Sequence, residues 1–354
     1  MYTLCFHEAG SHLLEELAQT CMSPMALNYI CGGAADEITM RANCEDWKRI
    51  RLKPTVLVDV SEVDLQTQLL GQQLEFPVML APTAFHRLCH PQAELETIAG
   101  ANHAGTSVIL STYSTEPVEA VVAAAKYPVW FQLYTQSKKE LNRDLIQRAE
   151  AAGCRAICVT VDTPVLGPRN RESRSEFKIP PEFRLPHLEI DPVRLAGRAV
   201  GHEMPASTLT WKDIESLRSI SSLPLLLKGI MNPDDAARAA DTGVAGIIVS
   251  NHGGRNLDTL PSTAEALPRI IETLRGRLPV IVDGGIRRGT DVLKAIALGA
   301  NAVMIGRPYL HGLAVAGAEG VARVLEILKT ELRMAMALTG RASIGQIDRS
   351  VLWD

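Results

Sequence analysis

Residues 224–252 read PLLLKGIMNPDDAARAADTGVAGIIVSNH. Two short apolar runs, PLLLKGI and GIIVSNH, flank a longer segment with a helical pattern that ends at Gly243. A short apolar run, a helical segment and a second apolar run are typical of two parallel strands joined by a crossover helix. This stretch therefore predicts a β-α-β unit, and the same pattern repeats along the chain.

The repeat begins at residue 78 and gives eight strand-like runs: VMLAPT (78–83), SVILST (107–112), VWFQLYT (129–135), AICVTVD (156–162), PLLLKGI (224–230), GIIVSNH (246–252), PVIVDGG (279–285) and AVMIGRP (302–308). Eight such units can close into a (β/α)8, or TIM, barrel. The rival is an open doubly wound sheet, which normally carries a GxGxxG turn after its first strand, whereas the first run here continues into APTAFHRL. We therefore predict an α/β fold with a TIM barrel at residues 78–340.

Two parts of the chain lie outside the repeat. Residues 1–77 contain an amphipathic helical pattern followed by TVLVDV and LQTQLLGQQLEF, which predicts a helical cap and a hairpin over the bottom of the barrel. Residues 163–209 are rich in Pro and Arg with weak periodicity, and so long a loop in a compact domain is often an active-site lid. The expected organisation is a single domain, residues 1–354, with a lid after the fourth strand.

Composition and charge exclude several classes of protein. The 354 residues carry 36 basic and 40 acidic side chains, a formal net charge of −4, with no basic stripe for nucleic acid or an anionic membrane. Seven cysteines without CxxC or CxxH spacing indicate neither a disulfide framework nor a metal site. No run reaches the ~18 apolar residues of a membrane span, the first residues lack a signal-peptide pattern, and SVLWD is not a peroxisomal address. We therefore expect a soluble, cytoplasmic protein.

Polar side chains and glycines follow the predicted strands. In a TIM barrel the active site lies at the carboxyl ends of the strands, so these residues should share one rim. They are Thr83, Ser111, Gln132, Tyr134, Thr160, Asp162, Lys228, Ser250, His252, Asp283, Gly285, Gly306 and Arg307. The last two units carry DGGIRRG and IGRP, whose glycines and arginines, Arg287 among them, predict a phosphate site. The alternative is that these glycines serve only tight turns.

The segment SNHGGRNLD, residues 250–258, has the highest density of reactive groups. His252 can act as a base near neutral pH, and Arg255 can present a planar guanidinium to a carboxylate. Asp162 can orient the imidazole and stabilise its protonated form, although it could instead cap the following turn. Lys228 could stabilise negative charge on a reduced flavin or, alternatively, form a structural ion pair.

The motifs LAPTAF, WFQLY, CVTVDTPVLG, LKGI, SNHGGRNLD and DGGIRRGTDVLKAIALGA occur in this order. With them the chain closely resembles the FMN-dependent L-2-hydroxy-acid oxidases and dehydrogenases, of the glycolate oxidase and lactate oxidase type, from Tyr29 to the final helix. The combination is far more specific than any single motif. The resemblance implies a TIM barrel that binds FMN and acts on a small 2-hydroxy acid.

The resemblance also implies roles for individual residues. Those for the substrate are His252 as base, Asp162 as its partner, Arg255 and Arg169 as carboxylate ligands, and Tyr29, Tyr134 and Tyr113 beside the substrate. Those for FMN are Pro82, Thr83, Ala84, Ser111, Gln132, Thr160, Lys228 and Ser250 around the isoalloxazine and ribityl chain, and Asp283, Gly285, Arg287, Gly306 and Arg307 at the ribityl and phosphate end. No metal is implied.

The chain departs from the family pattern at a few positions. Ile30, Cys31 and Gly32 replace the usual Tyr-Ala-Ser, Pro168 replaces an Arg beside Arg169, and Asn256 stands where Gln is usual. None of these changes removes an implied catalytic group. Tyr113 occupies a position that is Trp in glycolate oxidase, so we expect the pocket for the substrate side chain to differ in width and polarity.

The expected reaction is oxidation of a lactate- or glycolate-type L-2-hydroxy acid to the 2-oxo acid, with O2 reduced to H2O2. Alternatives within the family are a dehydrogenase with another electron acceptor and an enzyme for a bulkier acid such as mandelate. An FMN isomerase or nucleotide dehydrogenase would not need the second arginine at 169, and a non-catalytic flavin-binding barrel would leave His252 idle. By analogy with the family we expect a homo-oligomer, a tetramer or an octamer.

Overall fold

The chain folds around a closed barrel of eight parallel strands in this computed structural model, which describes residues 11–188 and 207–353. The strands are β1 (Val78–Leu80), β2 (Val108–Ser111), β3 (Val129–Leu133), β4 (Ile157–Thr160), β5 (Leu225–Lys228), β6 (Gly246–Val249), β7 (Val280–Val282) and β8 (Ala302–Ile305). Each lies within one of the predicted runs, and β8 pairs with β1 to close the barrel. The predicted TIM barrel is confirmed.

Helices alternate with the barrel strands and also precede them. Those described are α1 (Ser11–Cys21), α2 (Pro24–Cys31), α3 (Ile38–Arg49), α4 (Ala93–Ala104), α5 (Val118–Ala124), α6 (Lys139–Ala152), α7 (Asn170–Arg174), α8 (Trp211–Arg218), α9 (Pro233–Thr242), α10 (Thr263–Leu274), α11 (Gly289–Ala297) and α12 (Arg307–Leu338). The helices α4, α6 and α9 end at Gly105, Gly153 and Gly243, the last as predicted from the sequence, with φ of 79°, 99° and 74°. Glycine adopts this left-handed conformation at low cost and so turns the chain toward the next strand. None of the described helices has an apolar stretch long enough to cross a membrane.

Two layers of apolar side chains hold the barrel together. Alternate strand residues point into the barrel, and this interior layer contains Met79, Ile109, Trp130, Cys158, Leu226, Ile248, Ile281 and Met304. The residues between them, such as Val78 and Leu80, belong to a second layer that packs under the surrounding helices. Burial on both faces explains why the strands are continuous apolar runs in the sequence.

A hairpin closes the amino-terminal end of the barrel. Its antiparallel strands, Thr67–Leu69 and Gln72–Leu74, place Leu69 and Leu74 in the interior layer. Gln72 Oε1 accepts a hydrogen bond of 2.9 Å from the indole of Trp130 in β3. The hairpin therefore covers the bottom of the barrel.

The helix α3 lies at the opposite end, which differs from the expectation that the amino-terminal helices cover the bottom. Its Asn43 exchanges amide hydrogen bonds of 2.8 Å with Asn251, which follows β6. The indole of Trp47 donates to the carbonyl oxygen of Gly284, which follows β7, at 2.9 Å. Both partners lie beyond the carboxyl ends of their strands, so α3 packs against the carboxyl-terminal rim.

The segment predicted as a lid, residues 163–209, is described at 163–188 and 207–209, and residues 189–206 lie outside the described residues. Its described part contains α7 and buries the side chains of Phe177 and Phe183. His187 Nε2 accepts a hydrogen bond of 3.0 Å from the backbone N–H of Val118, and its Nδ1 lies 3.2 Å from the hydroxyl oxygen of Ser114. Because both partners follow β2, this part of the segment packs down on the carboxyl-terminal rim.

Candidate active site

A cavity of about 1080 Å³, including the solvent at its mouth, opens at the carboxyl-terminal rim of the barrel. The predicted site residues that line it are Tyr29, Pro82, Thr83, Ala84, Ser111, Tyr113, Tyr134, Arg169, Lys228, His252, Arg255, Asp283, Gly285, Arg287, Gly306 and Arg307. The other predicted residues, Gln132, Thr160, Asp162 and Ser250, lie behind this surface and hydrogen-bond to one another or to residues that line it. The structure thus brings every residue of the predicted site to one place.

His252 and Asp162 form a hydrogen-bonded pair at this rim. The imidazole Nδ1 lies 2.9 Å from Asp162 Oδ1, and Nε2 lies 3.2 Å from the phenol oxygen of Tyr134. An ionised carboxylate can only accept, so Nδ1 carries the proton and the lone pair of Nε2 faces the cavity side of the ring. His252 has a φ of 58°, a left-handed conformation that is costly for a residue with a side chain and that is often found at functional sites.

The protonation states of this pair suit a base. Burial lowers the pKa of His252 below its usual value, and the charges of Lys228 and Arg169 add to this effect, although Asp162 opposes it. For Asp162 burial alone would raise the pKa, but His252, Lys228 and a hydrogen bond from Thr163 outweigh burial and lower it. At neutral pH the pair is therefore a neutral imidazole beside a carboxylate, the state that can accept a proton from a ligand.

Arg255 and Arg169 place two guanidinium groups in the cavity that His252 also lines. Arg255 Nη1 donates to the main-chain oxygens of Tyr29 and Gly32 at 2.7 and 2.8 Å. Arg169 Nη1 donates to Glu172 at 3.3 Å. Burial and the charge of Arg169 lower the pKa of Arg255 to about 9, which leaves it charged at neutral pH. Both arginines have further N–H groups in a planar array, which suits a carboxylate.

A second pair of arginines, Arg287 and Arg307, lines another part of the cavity. Arg307 is the first residue of α12, and its guanidinium donates to the carbonyl oxygens of Ile30, Gly32 and Gly253 at 3.1, 3.0 and 3.0 Å. Three of its five N–H groups are therefore bound to the main chain, which leaves two for a ligand. The first N–H groups of a helix lack partners within that helix and attract anions. The guanidinium groups of Arg287 and Arg307 and the amino terminus of α12 can therefore bind a phosphate together.

Lys228, at the end of β5, is a cation that is only 4% exposed. Its Nζ donates to Ser250 at 2.9 Å and lies 3.3 Å from Asp283 Oδ2, the ion pair that the sequence left as an alternative. Burial would lower the pKa of Lys228, but the carboxylates of Asp283 and Asp162 outweigh burial and raise it. Asp283 Oδ1 is buried without a hydrogen-bond partner among the described residues. Such an acceptor needs a donor, and a ligand hydroxyl can supply one.

Comparison with known proteins identifies the family. A model of the FMN-dependent dehydrogenases matches residues 18–354. The chain belongs to the FMN-dependent dehydrogenase family. An L-lactate oxidase of Nostoc sp. is 47% identical over 354 residues, 96% of each chain, and glycolate oxidase 3 of Oryza sativa subsp. japonica is 43% identical over 344 residues, 95% of this chain and 94% of that protein. The crystal structure of a mandelate oxidase is similar with a TM-score of 0.90 at 38% identity over 97% of both chains.

This FMN-dependent 2-hydroxy-acid oxidase has a cavity whose chemistry fits its cofactor, FMN. Two arginines and a helix terminus match the charge of a phosphate. The unpartnered oxygen of Asp283 matches a ribityl hydroxyl, which is a donor. The buried ammonium of Lys228 matches a ring that gains negative charge on reduction.

Two contacts that build the oxidase site were missed by the sequence reasoning. Asp258 accepts hydrogen bonds from the backbone N–H groups of Ile38 and Thr39 at 3.2 and 2.8 Å, and so ties the loop after β6 to the start of α3. Phe177 stacks on Tyr29 with ring centres 4.3 Å apart. The contact of Asp258 had no local signal, because the helix that it caps lies about 220 residues earlier in the chain. The ring pair had no signal, because its partners are distant in the sequence.

A buried polar network behind β1 was also missed. His86 lies 2.7 Å from the hydroxyl of Thr83 and 2.9 Å from that of Thr97. The phenol of Tyr309 contacts Thr83 and donates to the carbonyl oxygen of Ala81 at 2.9 Å. Burial lowers the pKa of His86, so its imidazole is neutral. The network fixes the segment between Ala81 and Thr83 that forms one wall of the cavity.

Proposed function

We propose that this enzyme oxidises a short L-2-hydroxy acid, of lactate or glycolate size, to the 2-oxo acid and reduces O2 to H2O2. The observation that carries the proposal is the presence of two guanidinium groups, of Arg255 and Arg169, in one cavity with the His252 base. An anchor for a carboxylate beside a base is what oxidation at the adjacent carbon requires. The identity of 47% to an L-lactate oxidase supports a substrate of this size.

In this proposal Arg255 and Arg169 bind and orient the substrate carboxylate. Each charged hydrogen bond contributes ~1.5 to 3 kcal/mol. The hydrogen bonds of Arg255 to the main chain of α2 hold its guanidinium in place before the substrate arrives, so less orientational freedom is lost on binding. Tyr29 and Tyr134 border the same space and would contact the bound acid.

His252 then takes the proton of the substrate hydroxyl at Nε2, where Tyr134 is its neighbour. Asp162 stabilises the imidazolium that forms, because the carboxylate already accepts the Nδ1–H hydrogen bond. When bound, FMN would supply the acceptor for the hydrogen and the two electrons that leave the adjacent carbon, and O2 would take up two electrons and two protons and leave as H2O2.

The residues assigned to FMN form two groups in this proposal. Those around the ring and ribityl chain are Pro82, Thr83, Ala84, Ser111, Gln132, Thr160, Lys228 and Ser250, and those at the ribityl and phosphate end are Asp283, Gly285, Arg287, Gly306 and Arg307. What supports the second group is its charge and the unpartnered Asp283 Oδ1. What supports the first is its position around Lys228 and Ser250, whose hydrogen bond joins neighbouring strand ends.

Tyr113 and Leu166 line the cavity and, in this proposal, border the space for the substrate side chain. The Tyr113 ring meets Tyr134 and Phe85 edge-on, with ring centres 5.4 and 5.8 Å away, and this packing on two sides restricts its movement. A fixed ring at this place favours a hydrogen or a methyl group over a phenyl group. The second candidate is a bulkier acid such as mandelate, which the TM-score of 0.90 to a mandelate oxidase favours.

The test is anaerobic mixing of the FMN-loaded protein with glycolate, L-lactate, D-lactate and (S)-mandelate. We expect L-lactate or glycolate to bleach the flavin fastest, D-lactate to leave it oxidised, and H2O2 to appear when O2 is admitted. His252→Gln should bleach ~10²- to 10⁴-fold more slowly. The matched control is His103→Gln, which changes an exposed histidine of α4 and should behave as the wild type.

Each alternative gives its own result in that experiment. Absence of bleaching by every acid would refute an oxidase of this class. Bleaching without H2O2, but with reduction of an added dye, would indicate the dehydrogenase alternative. Fastest bleaching by (S)-mandelate would replace the short acid by the bulkier one.

Two further expectations stay proposals. We propose a homo-oligomer, a tetramer or octamer, which the analogy with the family supports and which light scattering of the purified protein tests. We also propose a cytoplasmic location, which the scattered cysteines without metal or disulfide spacing support. Localisation of a tagged chain in its own cells tests it.

A further inference from the structure

A buried hydroxyl lies behind the His252–Asp162 pair. It belongs to Thr163, which is 2% exposed. Thr163 Oγ1 lies 2.9 Å from Asp162 Oδ1, the same oxygen that meets His252 Nδ1 at 2.9 Å. Asp162 Oδ2 is buried and has no partner in the part of the chain that the structure describes. The side-chain hydrogen bonds of this carboxylate therefore fall on one oxygen, which the imidazole and the hydroxyl share.

Asn256 sets the direction of the hydroxyl. Its side-chain Nδ2 lies 3.0 Å from the carbonyl oxygen of Asp162 and 3.4 Å from Thr163 Oγ1. An amide NH2 can only donate and a hydroxyl has one hydrogen, so Thr163 accepts from Asn256 and donates to the carboxylate. The main chain of Asn256 packs closely on Gly167, where a Cβ would lie 1.7 Å from the Asn256 main-chain oxygen. The result is a chain of donors from Asn256 through Thr163 to Asp162.

We propose that Thr163, oriented by Asn256, is a positioning residue that withdraws charge from the Asp162 carboxylate and so limits the basicity of His252. The inference deepens the proposed function and rests on His252 as the base of that reaction. A donor to Oδ1 shares the carboxylate charge, and a carboxylate with less charge density stabilises an imidazolium less. Without the hydroxyl, His252 would stay protonated to higher pH and would be unable to accept a proton there.

Steric contacts hold the Asp162 carboxyl group in place, so the Thr163 hydroxyl acts on its charge and not on its position. Gly229 has a φ of 111°, and a Cβ there would lie 2.5 Å from Asp162 Cβ. The Asp162 carboxyl group is thus confined by the backbone after β5 whether or not Thr163 carries a hydroxyl. Removal of the hydroxyl should therefore change the charge density on the carboxylate and leave its position unchanged.

The other groups that face His252 each have a defined effect on the protonation of its imidazole. Lys228 and Arg169 are cations that disfavour the imidazolium. Tyr134 is a neutral phenol at working pH, because burial raises its pKa. None of these groups is bonded to Thr163 by the contacts described, so a change at Thr163 reports on Asp162.

The experiment compares Thr163→Val, which removes the hydroxyl and keeps the shape, with Thr163→Ser, which keeps the hydroxyl. The His252 pKa is measured by NMR in FMN-loaded protein without substrate, with carbon-13 in the histidine rings and the signal assigned by its loss in His252→Gln. We expect the pKa to rise by about 0.5 unit or more in Thr163→Val and to stay within about 0.2 unit of wild type in Thr163→Ser. The midpoint of the acid side of the kcat/KM profile should move by the same amount.

Thr135→Val is the matched control, because Thr135 also has a buried hydroxyl, one without a hydrogen-bond partner in the described residues. It should leave the His252 pKa unchanged. A pKa in Thr163→Val that is equal to or below that of wild type would overturn the proposal. So would a rate loss that is uniform at all pH values.

A second variant keeps the test decisive if Thr163→Val does not retain FMN. Asn256→Ala removes the outer donor, and we expect a rise of the His252 pKa in the same direction but smaller. The NMR titration needs no turnover, so it also separates this inference from the proposed function. If no 2-hydroxy acid bleaches the flavin, the function is refuted, while the titration still decides whether Thr163 acts on His252.

Discussion

The two ends of the barrel are built from opposite kinds of side chain. At the amino-terminal end, Leu69 and Leu74 fill the mouth with apolar groups. At the carboxyl-terminal end, Lys228 is a buried cation, His252 has a left-handed backbone, and Asp283 has a buried oxygen without a partner in the described structure. The first end is closed by apolar side chains, whereas the second leaves Asp283 Oδ1, a polar atom that a ligand hydroxyl can satisfy.

The side chains that stabilise the barrel and the polar groups of the candidate site therefore lie at opposite ends of the barrel axis. Strand β4 and the residues after it pass from one to the other within five residues: Cys158 lies in the apolar interior layer, Thr160 ends the strand, and Asp162 hydrogen-bonds to the imidazole of His252. Alternate residues of a strand face the same side, so the apolar layer directly supports the polar one. Changes at the hairpin should therefore cost stability, and changes at the rim should cost activity.

The largest expected effect is on stability, from Leu74→Ala in the hairpin. The variant leaves a cavity beneath the interior layer and should lower the free energy of unfolding by ~2 to 5 kcal/mol. Its kcat on L-lactate should stay within about twofold of wild type, because the site is at the other end. Urea unfolding of the FMN-loaded protein and steady-state kinetics measure the two quantities. Leu338→Ala, at a position that is 70% exposed, is the control, and a large loss of kcat in Leu74→Ala would break the separation of the two ends.

The next effect is on activity, from Arg255→Lys at the rim. Lysine keeps the charge but loses the planar array of donors, so kcat/KM should fall about 10- to 100-fold. Steady-state kinetics with L-lactate measure the loss. The control is Arg87→Lys, which alters an arginine paired with Glu116 outside the cavity. Tyr29→Phe should cost less, and an equal loss in both variants would argue against Arg255 as the carboxylate anchor.

Most of the rim could be predicted from the sequence because its residues follow apolar runs that are themselves easy to detect. Lys228 ends β5, and His252 and Arg255 follow β6 within a few residues, so the barrel rule alone placed them together. The position of α3 could not be predicted in this way. It depends on contacts of Asn43 and Trp47 with residues 208 and 237 positions away, for which no local pattern exists.

The role of Thr163 was hidden from the sequence for a different reason. Its neighbour Asp162 was predicted, but a threonine after an aspartate has many uses in a loop. In the folded protein the hydroxyl and the imidazole meet the same carboxylate oxygen, a contact that no local sequence pattern indicates. The sequence therefore predicts which groups reach the rim more readily than which hydrogen bonds adjust them.

A smaller effect is expected from pH. The base must be neutral, and burial lowers the pKa of His252, so the rim should stay active in mild acid. We expect kcat/KM to be constant near neutral pH and to fall about tenfold per unit below a midpoint under ~6.5, the ordinary histidine value. The profile for L-lactate between about pH 5 and 8 measures this, provided that enzyme stability is checked at each pH. Leu74→Ala should have the same midpoint, and a midpoint above neutral pH would contradict a buried, neutral base.

The smallest effect is expected from Gln72→Leu in the hairpin, which tests whether the contact of Gln72 with Trp130 adds stability. The variant deprives the Trp130 indole of the acceptor that lies 2.9 Å away. Because Gln72 is only partly buried, water can replace part of the lost bond, and the free energy of unfolding should fall by about 1 kcal/mol. Gln72→Glu keeps an acceptor oxygen and should recover most of the loss in urea unfolding, with kcat on L-lactate unchanged in both variants. If the two substitutions destabilise equally, the hydrogen bond to Trp130 adds no stability. The packing of Leu69 and Leu74 then holds the hairpin, and apolar contacts account for the stability of the amino-terminal end.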